Sequence, residues 1–128
     1  MAAPKTTIAP IQSLPYYTAE AGILQWAALY QSTAADMTAV LPAGAASALK
    51  FLGSARYAQV SGATSIELIT AGDAIGIAAS AITAGDDLES GGATGTLQTR
   101  TTGTIVGRAM DSAGTAGDLF RYTILKPI

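Results

Sequence analysis

A chain of 128 residues with 49% hydrophobic content is long enough for one domain and too apolar to be disordered. Only 12% is charged, the net charge is −2, and Lys5, Lys50, Arg56, Arg100, Arg108, Arg121 and Lys126 are scattered, which excludes a basic face for nucleic acid. Cysteine and histidine are absent, removing disulfides, thiolate chemistry, the commonest general base and the usual transition-metal ligands.

Residues 1 to 19 read as an extended N-terminal arm, and residues 20 to 128 as a single β-rich domain. Pro4, Pro10 and Pro15 recur through the arm; proline lacks a ladder donor and holds the preceding residue extended. Between them Ile8, Ile11, Leu14, Tyr16 and Tyr17 are candidate partner-binding anchors, since a solvated tail has little use for them. The start, Met1-Ala2-Ala3-Pro4-Lys5, lacks the apolar run of a signal peptide. The stretch Ala21 to Tyr30 carries Gln25 and is too short to span a bilayer. The expectation is synthesis in the cytoplasm and no membrane partner.

Gly22 to Tyr30 fits a strand or a short helix, with Trp26 as a packed anchor. Thr38 to Leu41 reads as a strand closed by Pro42, and Ala43 to Lys50 as at most one short helix. Beyond residue 50 the pattern is strand-like: Lys50 to Gln59, Ser65 to Thr70, Ala74 to Ser80, Asp87 to Glu89, Thr96 to Thr102, Thr104 to Met110 and Asp118 to Leu125. Short strands separated by frequent turn signals predict a small β-barrel or sandwich.

Thr-Ala-Gly-Asp occurs three times, at 70–73, 83–86 and 115–118. Glycine reaches positive φ without a Cβ penalty, and the following Asp can accept backbone N–H groups. Gly72, Asp73, Gly85, Asp86, Gly117 and Asp118 are therefore predicted to form tight turns, each feeding a strand. A fainter repeat relates Phe51-Leu52-Gly53-Ser54-Ala55 to Ile105-Val106-Gly107-Arg108-Ala109, each followed by a Gly-containing turn and an alternating strand.

Little here supports catalysis. No Ser/His pair can exist, and no phosphate-binding glycine loop or dinucleotide fingerprint is present. The acidic run Asp86-Asp87-Leu88-Glu89 reads as a solvated turn rather than a calcium loop or an acid/base pair. The chain is predicted not to be an enzyme and to need no cofactor or metal. Alanine supplies much of the apolar content and buries little surface per residue, so packing against copies of itself or a partner is expected to complete the burial.

The series Leu52-Gly53-Ser54-Ala55, Gly76-Ile77-Ala78, Ile82-Thr83-Ala84-Gly85-Asp86-Asp87-Leu88, Ile105-Val106-Gly107-Arg108-Ala109 and Ala116-Gly117-Asp118-Leu119-Phe120-Arg121-Tyr122-Thr123-Ile124-Leu125 resembles the capsid cement, or head decoration, proteins of tailed bacteriophages. The resemblance spans roughly residues 50 to 128 in order and spacing. It implies a β-tulip-like domain on the outer surface of the virion, as a homotrimer at local three-fold sites, clamping neighbouring copies of the major capsid protein. The alternative is a carbohydrate- or surface-binding β-module of a phage fibre or secreted protein.

Overall fold

The structure, a computed structural model, describes the backbone of residues 10–18 and residues 22–32, 37–42, 50–58, 65–92 and 94–125 in full. Among the described residues nine strands follow in chain order: β1 Pro10–Thr18, β2 Ala28–Gln31, β3 Thr38–Val40, β4 Phe51–Ala55, β5 Ser65–Ile77, β6 Asp87–Ser90, β7 Leu97–Thr99, β8 Gly107–Ala109 and β9 Leu119–Ile124. The fold is mainly β, with no helix among the described residues; positions 43–49 of the expected helical turn lie outside them.

The strands close into two rings that share β5. In the first, β1 pairs with β3 in parallel, and β3–β2, β2–β4, β4–β5 and β5–β1 are antiparallel. In the second, β5, β9, β8, β6 and β7 pair antiparallel in that order, and Ala78, just past β5, bridges Leu97 of β7 in parallel. Closure leaves few unpaired edges on a domain of short strands. The stretch predicted as an arm is thus, from Pro10 to Thr18, a member of the first ring. Its prolines are tolerated because β3 reaches only Tyr17 and Thr18, so that among the described residues one side of β1 has no strand partner at Pro10 and Pro15.

The expectation of two strands, Ser65 to Thr70 and Ala74 to Ser80, parted by a turn at Gly72 and Asp73 needs correction. β5 runs unbroken through all 13 residues. Gly72 does have positive φ, +83°. It sits where the register against β1 shifts, Pro10 opposing Gly72 and Gln12 opposing Ala71. Positive φ bends the strand there without ending it, because hydrogen-bonding partners continue on both sides: β1 and β4 before, β9 after.

The rings are two copies of one five-strand plan. β1, β3, β2, β4 and the first half of β5 correspond to the second half of β5, β7, β6, β8 and β9. The registers agree: Ser54 opposes Ile69 and Ala55 opposes Leu68, as Arg108 opposes Thr123 and Ala109 opposes Tyr122. A Cβ on Gly53 would collide with the carbonyl of Ile69, and one on Gly107 would come within 2.5 Å of the carbonyl of Thr123. The same close approach therefore demands glycine in both copies, and the faint sequence repeat marks it.

Each ring has its core. Ile23, Ala27, Leu29, Ala39, Leu52, Ala55, Ile66 and Leu68 fill the first. The larger cluster of the second includes Leu88, Leu97, Val106, Phe120, Tyr122 and Ile124, and it extends to Ala28, Tyr30 and Ile69 of the first-ring strands. β9 shows the period of two that buries one face: Phe120, Tyr122 and Ile124 are buried while Leu119, Arg121 and Thr123 are half-buried. Burying each such large side chain stabilises by about 1.5–3 kcal/mol before ordering costs.

Candidate functional site

Three turns clasp the strands by one hydrogen-bond scheme. At Thr83–Asp86, Asp86 N–H donates to the Thr83 carbonyl (3.0 Å), Gly85 N–H to Ala109 (2.8 Å), and Ala109 N–H back to Asp86 (2.9 Å). At Thr115–Asp118 the same bonds link Asp118 to Thr115 (3.2 Å), Gly117 to Ala78 (2.8 Å) and Ala78 to Asp118 (2.9 Å). Gly85 and Gly117 have φ of +96° and +91°, as the third residue of a type II turn requires. The aspartate completes each turn: Oδ2 of Asp86 accepts Thr83 N–H (3.0 Å), and Oδ2 of Asp118 accepts Thr115 N–H (3.2 Å).

The third clasp is not the remaining Thr-Ala-Gly-Asp. It is Leu24-Gln25-Trp26-Ala27, where Ala27 N–H donates to Leu24 (3.1 Å), Trp26 N–H to Ala55 (2.7 Å) and Ala55 N–H to Ala27 (2.9 Å). Trp26 takes the glycine position with φ +71°. In all three clasps the receiving alanine ends a Gly-x-Ala stretch: Gly53-Ser54-Ala55, Gly76-Ile77-Ala78 and Gly107-Arg108-Ala109. Leu24 (52% exposed) stands at this clasp, the first in chain order, and Tyr57 (58% exposed) just beyond the end of β4 that receives it, where the clasps at 83–86 and 115–118 show Thr83, Ala84, Thr115 and Ala116.

The second built feature is the loop from Thr99 to Thr104, between β7 and β8. Glu89 is fully buried, which corrects the reading of residues 86–89 as a solvated turn. Its Oε2 accepts Gln98 Nε2 (2.5 Å) and Thr101 Oγ1 (3.1 Å), and its Oε1 accepts the N–H of Gly103 (2.5 Å). Burial alone would raise its pKa; the hydrogen bonds from Gln98, Gly103 and Thr101 outweigh that and lower it, so the carboxylate stays charged. Asp86 Oδ2 also accepts Thr99 Oγ1 (2.9 Å), and Arg100 Nε donates to the Gly103 carbonyl (2.9 Å). The loop is exposed from Thr99 to Thr102 yet tied down from beneath. Sequence reasoning missed this because three acids at turn-like spacing look solvated; the alternation Asp87-Leu88-Glu89, continuing into a polar loop, was the available signal.

Two buried phenols lie in the second core. Neither the Tyr30 nor the Tyr122 hydroxyl reaches a partner in good hydrogen-bond geometry, and Ser90 and Ser54 give them only partial relief. Burial pushes the Tyr30 pKa up to about 12 and raises that of Tyr122 further.

Of the predicted anchors, Ile11, Leu14, Tyr16 and Tyr17 lie in β1, with Leu14 opposite Leu68 and Tyr16 opposite Ile66, while Ile8 lies outside the described residues. Of the predicted turn residues, Gly85, Asp86, Gly117 and Asp118 form clasps, whereas Gly72 and Asp73 lie within β5. Among the described residues no group of three or more acids is placed to hold a metal ion, and no helix is long and apolar enough to cross a membrane.

No family model matches the chain, and no curated protein matches its sequence. Its fold does match a solved structure, the N base of the head fibre protein gp8.5 of bacteriophage phi29. The two share 20% sequence identity over 88% of this chain and 92% of that one, with a TM-score of 0.65. At that identity the likeness establishes a common β architecture.

Proposed function

We propose that the chain is a non-enzymatic structural protein of a bacteriophage virion, which binds the outer surface of the head and stabilises it by clamping neighbouring copies of the major capsid protein. The observation that carries this reading is the fold shared with a head-fibre base over nearly the whole length of both chains. The resemblance of residues 50 to 128 to cement proteins points the same way. That resemblance implies a homotrimer at local three-fold sites, where repetition over a shell multiplies modest contacts, and the low charge and alanine-rich composition fit burial against further copies. The carbohydrate-binding alternative is less well supported: stacking surfaces need grouped exposed aromatics, and among the described residues Tyr57 is exposed while Tyr30, Tyr122 and Phe120 are buried.

Two measurements test it. Sedimentation analysis at micromolar concentration should report about three times the monomer mass. Purified heads lacking the protein should bind it, pellet with it, and resist heat better afterwards. A monomer that leaves heads undecorated sinks the proposal.

A further inference from the structure

Resting on that reading, we infer that the Thr99–Thr104 loop is the face that meets the capsid, and that Arg100 donates its guanidinium fork to a carboxylate of the shell protein. The loop is exposed, yet a fully buried glutamate holds its shape. Taking a carboxylate out of water is costly unless it is fully hydrogen-bonded, and Glu89 spends its acceptors on Gln98, Thr101 and Gly103, which fixes the conformation of this surface segment. What that conformation presents is a cation. Arg56, Arg108 and Arg121 each pair with a carboxylate of the same chain, Glu67, Asp87 and Asp111. Among the described residues Arg100 has no such pair; of its side chain, Nε donates to the Gly103 carbonyl. Arginine's planar fork suits bidentate recognition of a carboxylate.

The partner carboxylate is best sought outside the chain. Among the described residues every acid is already engaged at home: Glu67, Asp87 and Asp111 with arginines, Asp73 with Thr123, Asp86 and Asp118 within their clasps, and Glu89 beneath the loop. In a second copy a bidentate fork would meet, on each of these carboxylates, at least one oxygen that already accepts a bond, and a single fork on a chain of net charge −2 suits one carboxylate rather than a polyanion.

Co-sedimentation with purified heads, across a salt series, tests the assignment on the full chain. Arg100→Ala should weaken binding by about tenfold and flatten its salt dependence, with Arg100→Lys in between because it keeps the charge and loses the fork. Glu89→Gln should weaken binding while circular dichroism stays native, and should speed trypsin cleavage after Arg100, which reads the loop directly. Wild-type binding that neither Arg100→Ala nor Glu89→Gln alters overturns the inference and leaves the proposed function standing. A change in self-association, with head binding intact, overturns it in favour of a contact between copies. Failure of the wild type to bind heads removes both.

Discussion

The first ring opens β2 with a clasp whose positive-φ residue is Trp26; the second opens β6 with the same clasp and Gly85 in that place. Backbone bonds and strand registers agree between the two copies, so the fold itself asks for glycine at both. A bulky residue in the left-handed region costs of order 1–2 kcal/mol. Glu89 shows the converse difference: its counterpart in β2, at the same distance from the clasp, is Tyr30, and only the second ring places a charged group there. Where two copies share a backbone plan, the positions that depart from its preferences locate demands other than folding.

The hardest way to break the comparison is to remove a strand from one copy. Deleting residues 10–17 takes away most of β1 and exposes edges of β3 and β5. This should destabilise the domain by roughly 3–5 kcal/mol. Amide hydrogen exchange should show protection lost first at β3 and the first half of β5. Equal loss at β8 and β9 would mean that the rings fold as one unit through their shared strand.

Next come the two matched glycines. Gly53→Val and Gly107→Val each drive a side chain into a neighbouring carbonyl, of Ile69 and Thr123 respectively, and Gly107 also meets the Tyr122 ring. Both should cost about 2–3 kcal/mol in thermal or denaturant melts. A large cost at one and none at the other would deny that the copies are equivalent.

Changes of pH probe the buried polar groups of both copies. Tyr30 has a folded pKa of about 12, above its unfolded value near 10. A folded pKa raised in this way contributes stability that is complete below pH ~10 and is lost as pH rises toward ~12. Tyr30→Phe should remove that part of the alkaline loss and cost little at neutral pH, since the hydroxyl has no well-placed partner. Glu89 acts at the other end. Its lowered pKa contributes stability present above about 4.3 and lost as pH falls through the lower folded value. Denaturant midpoints across pH, for wild type and for the Tyr30→Phe and Glu89→Gln variants, check both signs.

Much of the architecture was legible in the sequence. Period-two patterning and frequent turn signals located the strands of the second ring, although the expected Thr96 to Thr102 and Thr104 to Met110 narrow to Leu97–Thr99 and Gly107–Ala109 on either side of a loop. The faint match of Phe51–Ala55 to Ile105–Ala109 marked the repeat. The clasps were legible only where the glycine and aspartate were both present. Identical letters at Thr70–Asp73 suggested a third turn, yet a glycine kink inside a strand and a glycine in a turn need the same φ; what separates them is whether partners continue on both sides, a tertiary fact. Leu24–Ala27 escaped because Trp26 violates the propensity on which the recognition rests. Glu89 escaped because its burial depends on a loop that returns over it ten residues later.

The finest test falls on that same tryptophan. Trp26 is half-buried and packs against the larger core, so replacing it loses apolar contact whatever takes its place. Replacement by alanine loses that contact and keeps a Cβ at φ +71°; replacement by glycine loses the same contact and relieves the backbone. At an ordinary site with negative φ, glycine is the less stable of the two, because it has more conformational freedom to lose on folding. Here the order should invert, with Trp26→Gly more stable than Trp26→Ala by about 1 kcal/mol in denaturant melts. The corresponding control is Gly85→Ala, a position with open space around the added Cβ, so any loss reports backbone strain alone and should be of similar size, about 1 kcal/mol. If alanine proves the better substitute at position 26, the turn does not hold positive φ there, and the equivalence of the first clasp to the other two fails with it.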